Sequence, residues 1–437
     1  MSLAGLPTSA IANLLAQIAE GPGDWVDAYF ERLEEVTLAP DAAGAGWLSR
    51  REEGLAVRLL RGERCYLACR DEITGRALAQ AARQVARAMP TAQAAEPRIA
   101  AVGPREAPGT EEMAAFPGEL ADEIRRRHVA FPYLLSLSRH QRDVQVVGTQ
   151  LVPEAERERF YSLAVELPWG RYGTLLPELG AAAVGMVASA LVARFRARQA
   201  APPAPGHKKL VLAPAAAAVL VHEAVAHALE ADVLAASGNP ARAVGLALGP
   251  AELSVLDDPG SAPGETRRTT DDEGMAVCRR WLLRAGVVEQ PLADLAFARA
   301  SATLLPGAGR RGRRDLPPAP RCSHLEVIAG TLSEPALRER AEGGYWISEV
   351  DRGRLDPRSG RFELAVPFAR RVVAGELTET VGPFRLRSSV ANLLGAVVGV
   401  GMHPQPAGAG WCAKGGSRLP VWATTPALLL AGIEVQA

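Results

Sequence analysis

His222, Glu223 and His227 stand together in the otherwise apolar stretch Val219-Leu-Val-His-Glu-Ala-Val-Ala-His-Ala-Leu-Glu-Ala-Asp232. Two imidazoles and a carboxylate are costly to bury unless each finds a partner. A divalent metal would satisfy all three. The spacing is His-Glu-x-x-x-His, one residue longer than the His-Glu-x-x-His of common zinc proteases. In a regular helix, positions five apart differ by about 140° around the axis, so the two histidines would not converge on one ion. A π-bulge absorbs one residue and realigns them. The spacing therefore predicts a bulge or a distorted turn between His222 and His227.

A catalytic zinc takes three protein ligands and keeps one position open. The two histidines supply two, which leaves Glu223 free as a general base. The third ligand must come from elsewhere. His207, His324, His403, the cysteines, Glu230 and Asp232 are candidates. Cys412 stands out in Gly408-Ala-Gly-Trp-Cys-Ala-Lys-Gly-Gly-Ser417, where glycines allow close backbone approach and Lys414 could help hold a thiolate. His403 is the alternative to it.

The elements that must position these residues read as two domains, as expected for 437 residues. Hydrophobic residues make up 48% of the chain and mean hydropathy is near zero, which suits sizeable buried cores rather than disorder. Lys plus Arg equals Asp plus Glu at 49 each, so no basic excess points to nucleic acid. The five cysteines form no disulfide framework, which fits a reducing cytoplasm. Cys65 and Cys69 lie on one side of an expected strand, a weak metal signal without a second pair. The opening residues lack a signal-peptide pattern. The longest apolar run, 179–193, is too short to span a bilayer, so no membrane role is expected.

Residues 8–20 have helical periodicity, 25–32 alternate as a half-buried strand, and a small-residue loop covers 39–46. Residues 55–60 and 64–69 around Arg61-Gly62 form a hairpin signature, and 73–89 an amphipathic helix. A surface loop is expected over 90–118, helices over 121–128 and 155–160, a strand over 142–149 and a buried helix over 179–198. The segment 199–209, with three prolines, marks a linker. This places an α+β domain with antiparallel strands at 1–200. A mostly antiparallel β domain around the buried metal-binding helix, reaching from Pro214 to about Leu234, follows at 208–437.

These motifs resemble the TldD branch of the TldD/PmbA (modulator of gyrase) metallopeptidase family over nearly the whole chain. Val221–Asp232 looks like its HExxxHxxEGD helix, Thr270-Asp-Asp-Glu-Gly274 like its DDEG segment, and Cys412-Ala-Lys-Gly-Gly416 like its CGKDG. Gly309–Arg314 with Pro317–Arg321, the stretch from Gly344 to Phe362, and Arg51–Arg58 are similar to further family segments. The resemblance implies zinc (Zn2+) held by His222, His227 and Cys412, with Glu223 as general base on a zinc-bound water. It implies a peptidase acting on unstructured peptides or a peptide precursor, as a homodimer or paired with a TldE/PmbA-like homologue. A non-catalytic peptide-binding subunit with a vestigial metal site is the alternative. Family glycines are replaced at Ala226, Ala228, Ala231 and Ala413, and the aspartate of CGKDG at Gly415. The peptide is expected to bind as an added β-strand. Asp272 and Glu273 are expected to orient a ligand histidine, to bind a peptide terminus or to form a structural turn. Arg310–Arg314 reads as a solvated charged loop.

Overall fold

A computed structural model describes residues 3, 5–21, 23–40, 44–62, 64–87, 110–151, 154–356 and 359–436. Of the surface loop expected over 90–118, residues 90–109 lie outside the described residues, as do 41–43 of the small-residue loop, while 111–118 are helical instead.

The first part of the chain is one antiparallel sheet. Its strands are β1 (Asp24–Ala39), β2 (Gly46–Arg61), β3 (Arg64–Arg70), β4 (Leu134–Gly148), β5 (Ala155–Leu167) and β6 (Gly170–Leu176), in the order β3-β2-β1-β4-β5-β6. The hairpin signature is realised as β2 paired with β3, with Arg61 opposite Arg64. Four helices are associated with this sheet: α1 (Thr8–Ala16), α2 (Gly75–Ala86), α3 (Glu111–Arg126) and α4 (Ala181–Ala197). Val26, Ala28 and Phe30 of β1 join the core under α1 and α2, and Leu38 joins the core under α3 and α4. Side chains two apart share a face of a strand, so both helix pairs cover the same side.

The other side of β1 is buried too, which removes the expected half-buried alternation. Trp25, Asp27, Tyr29 and Glu31 all face inward on it. Asp27 is matched by Arg58, and Glu31 by Arg142 at 2.9 Å. Two further expectations fail for identifiable reasons. Residues 155–160 form a strand, because cross-strand pairing with β4 and the Arg157–Asp143 ion pair outweigh the helical propensity of Ala-Glu-Arg-Glu-Arg. Helix α3 begins at Glu111, well before the expected 121, and runs through Pro117. Its apolar positions Met113, Phe116, Leu120 and Ile124 are all buried, and that stripe outweighs the missing proline N–H.

The second part holds two larger sheets. The nine-stranded one runs Arg352–Asp356, Arg361–Val366, Phe384–Ser389, Leu428–Gln436, β7 (Gly206–Leu212), Tyr345–Ile347, Ala369–Val373 and Glu376–Val381, with Val397–Val400 beside Leu428–Gln436. The expected linker thus ends in β7, a central strand. The six-stranded sheet runs Val287–Val288, Arg280–Arg284, Val255–Asp257, His324–Val327, Ser417–Thr425 and Gln405–Lys414. Both are mostly antiparallel; β7 with Tyr345–Ile347 and His324–Val327 with Ser417–Thr425 are parallel pairs. Helix α5 (Pro214–Val221), with Pro214 in its first turn, shares a buried core with residues of both sheets, among them Leu212, Ile347, Cys412 and Val421.

The two parts meet through a buried ionic network. Asp272 lies beside Arg142, Arg268 and Arg310 and accepts the N–H of Arg311 at 2.7 Å. Glu273 pairs with Arg58 and accepts the N–H of Leu295 at 2.6 Å. Asp271 accepts the backbone N–H groups of Glu273, Met275 and Gly309. The Asp-Asp-Glu segment is therefore structural. Arg310 and Arg311 are buried rather than solvated, while Arg313 and Arg314 pair with Asp315 and Asp71.

Candidate metal centre

Helix α5 does not continue in regular form. Residues His222–Ala226 wind as a π-turn, closed by the His227 N–H donating to the His222 carbonyl. A three-residue tight turn, His227–Leu229, follows, and the chain breaks to an extended conformation at Glu230 before a short helix at Ala231–Ala235. The expected single helix to Leu234 is thus interrupted. Glu230 instead leads the chain alongside Leu292, whose carbonyl accepts the Ala231 N–H. The π-turn does what the five-residue spacing requires: the two imidazole centroids come to 4.5 Å at an interplanar angle of 67°.

Cys412 reaches this pair from the strand Gln405–Lys414, its Sγ 3.4 Å from His227 Nε2. One donor atom each from His222, His227 and Cys412 all lie within 4.8 Å of one another. None of the other third-ligand candidates joins them. His324 is held between Ser261 and Thr424, at 2.9 and 3.1 Å. His207 sits on β7 opposite Glu434, and His403 is exposed. Glu230 and Asp232 lie one layer out. Glu230 Oε2 contacts His227 Nδ1 at 3.0 Å, and Lys414 Nζ bridges Glu230 and Asp232.

Lys414 therefore braces His227 through Glu230 rather than touching Cys412. The cation at the sulfur is Arg321, which donates to Cys412 Sγ at 3.0 Å and to the Lys414 carbonyl at 2.6 Å. Cys322 places its Sγ 3.4 Å from His222 Nδ1. Cys322, one of the candidate cysteines, thus reaches His222 but stands outside the three-donor group; Arg321 was missed, since nothing in its spacing ties it to the histidines.

Burial and close neighbours move the ionisable groups of this site away from their ordinary ranges. Burial, aided by the neighbouring His227 and Arg321, holds the His222 imidazole well below its ordinary value. Burial also opposes charging of His227, but hydrogen bonds to Cys412 and Glu230 outweigh it and push that imidazole up to about 11. A proton on His227 and a metal ion compete for the same nitrogen. Glu223 is raised by burial, partly offset by the His227 charge.

Glu223 faces the strand Arg352–Asp356, which ends the nine-stranded sheet and pairs with Arg361–Val366. Gly353 makes this approach possible, because a Cβ there would come within 2.5 Å of Glu223 Cγ. The Leu355 N–H donates to the Glu223 carboxylate.

Residues 205–437 match the PmbA/TldA metallopeptidase C-terminal domain. A metalloprotease of Methanothermobacter thermautotrophicus is 29% identical over 52% of this chain, which spans about half the length of that relative, 49%. A metalloprotease TldD homologue of Haemophilus influenzae is 25% identical over 98% of this chain and 96% of its own. Among solved structures, TldE of Thermococcus kodakarensis has a TM-score of 0.74 at 15% identity, covering 98% of this chain and 99% of that one. A Thermotoga maritima protein described as a putative modulator of a DNA gyrase reaches 0.72 at 16%, covering 98% and 100%. These two establish the shared α+β fold.

Proposed function

The chain belongs to the PmbA/TldD metallopeptidase family, and on that premise we propose that it is a TldD-type zinc peptidase subunit. Its substrates are unstructured peptides or a peptide precursor. The observation that carries this reading is the convergence of His222, His227 and Cys412 beside Glu223.

The donor chemistry fits zinc. Imidazole nitrogen and cysteine sulfur are its habitual ligands, and three protein donors are the number a catalytic site uses. The second nitrogen of His227 is held by Glu230, as the outer contact of a ligating histidine usually is. Zinc held by His222, His227 and Cys412 would supply Lewis acidity to an oxygen brought against it.

Glu223 does the proton work. Its carboxylate takes a proton from the attacking water and delivers it to the leaving amine. Burial raises its affinity for that proton, which suits a group that must accept and then release it. The edge strand Arg352–Asp356 runs past Glu223 and offers a place for a substrate peptide to add as a further strand. Main-chain pairing of that kind tolerates many sequences. The partner is a second copy or a TldE/PmbA-like homologue. The setting is the cytoplasm, in keeping with five free cysteines.

The test is zinc content and cleavage of casein or a random-coil peptide, with and without such a homologue. Glu223→Ala is expected to keep zinc and lose cleavage. Stoichiometric zinc with no cleavage in either setting would leave a peptide-binding subunit instead.

A further inference from the structure

Two consecutive residues each touch a different member of the donor group. Arg321 reaches Cys412, and Cys322 reaches His222. The chain around them is pinned on both sides. The Arg321 N–H donates to the Ala308 carbonyl at 2.9 Å, and the N–H groups of Ser323 and His324 donate to Asp257 Oδ1 at 2.8 and 2.9 Å. Cys322 is 1% exposed. Its sulfur therefore has a fixed place relative to the imidazole.

The two histidines are braced in parallel. On His227, Nδ1 faces Glu230 and Nε2 faces Cys412. On His222, Nδ1 faces Cys322, which is not among the three clustered donors. That leaves Nε2 of His222 for the group. A ring nitrogen that donates its N–H outward keeps the other nitrogen's lone pair for a ligand, and this contact sets both tautomer and ring angle.

We propose that Cys322 is a positioning residue for His222: its sulfur accepts the Nδ1–H and keeps Nε2 turned to His227 and Cys412. Sulfur is a weaker acceptor than the carboxylate on His227, so the two imidazoles are held unequally and His222 is the more easily turned. The proposal rests on the metal-binding reading above.

The test uses the full chain loaded with cobalt(II), with affinity read by competition against a chelator and ligand field by visible absorption. Cys322→Val keeps apolar bulk without an acceptor. Cys322→Ser keeps an acceptor in a smaller side chain. A positioning role predicts that Val weakens cobalt binding about 10–100-fold and shifts the ligand-field bands, with the sulfur-to-cobalt band of Cys412 retained. Ser is then expected to stay within a few-fold of the parent. The reverse order, Val near the parent and Ser poor, overturns the proposal by showing a packing role. Equal affinity and spectra in all three chains also overturn it. His222→Ala separates the two levels. If it keeps parental cobalt affinity, the metal-site reading itself fails; if it loses cobalt while Cys322→Val does not, only the positioning role fails.

Discussion

Trp411 and Cys412 are neighbours on one strand and serve opposite faces of it. The Cys412 sulfur faces His227 at 3.4 Å, while the Trp411 ring meets His140 and Phe160 of the N-terminal sheet at 5.3 and 5.5 Å. On the Trp411 side lies a cavity of about 340 Å³, whose lining includes His140, Phe160 and Arg418. The strand that delivers the third donor is thus clamped by the first part of the chain.

That clamp has a pH dependence. Burial, reinforced by the Arg418 cation, pushes His140 down to about 4 from an ordinary 6.5. The folded protein resists protonation there, while the unfolded chain takes up a proton below pH 6.5. The stability concerned is complete above 6.5 and is lost as pH falls from there toward 4, to at most about 3 kcal/mol. Denaturant titrations of the parent between pH 7 and 4 are expected to show this slope, and His140→Gln to flatten it. An equal slope in the variant would remove His140 as the cause.

Cys412→Ala is expected to abolish stoichiometric zinc, and His403→Ala to leave it intact, since only the former faces the histidines. Metal analysis after dialysis reads both. Full zinc in the Cys412 variant would refute the ligand assignment.

Gly353→Ala should lower kcat/KM about 100-fold through displacement of Glu223 by a fraction of an ångström to an ångström. The new methyl would meet Glu223 Cγ and Val219 Cγ1. Zinc content should not change. A variant that loses zinc as well would mean that the strand supports the ligands and not the base.

Glu223→Gln keeps the size of the side chain but cannot take up the proton, and should lower kcat/KM about 100- to 10,000-fold while zinc stoichiometry is kept. Steady-state kinetics beside metal analysis check this. Cleavage within a few-fold of the parent would argue against Glu223 as that base.

Arg58→Ala strands the buried carboxylates of Asp27 and Glu273. Removing one partner of such a pair costs about 3–5 kcal/mol. Thermal melting should fall by several degrees or more, while zinc stoichiometry of the folded protein at low temperature is retained. A melting point within a degree of the parent would show that the network relaxes around the gap.

Much of the site was legible in residue order. A five-residue separation between two histidines, at about 100° per residue, forces a distorted turn if both are to serve one ion. The π-turn at His222–Ala226 is that consequence. The hairpin at Arg61-Gly62 and the proline in the first turn of α5 were equally local, because turn chemistry and helix starts depend on adjacent residues. Where local preference met a long-range competitor it lost. Residues 155–160 are good helix formers drawn into a sheet by β4, and of the site role and the structural turn open to Asp272 and Glu273, it is the turn, pairing with buried arginines, that the fold uses.

What the sequence alone determined is the pair of histidines, the glutamate between them and the irregular turn at that spacing, all set by covalent order. Cys412, 185 residues beyond His227, could be named from the sequence but not brought to it. Only sheet packing decided that contact, together with Arg321 on its sulfur, Cys322 on His222 and Gly353 against Glu223. Such contacts depend on how strands far apart in the chain are ordered and faced, and no local periodicity records that.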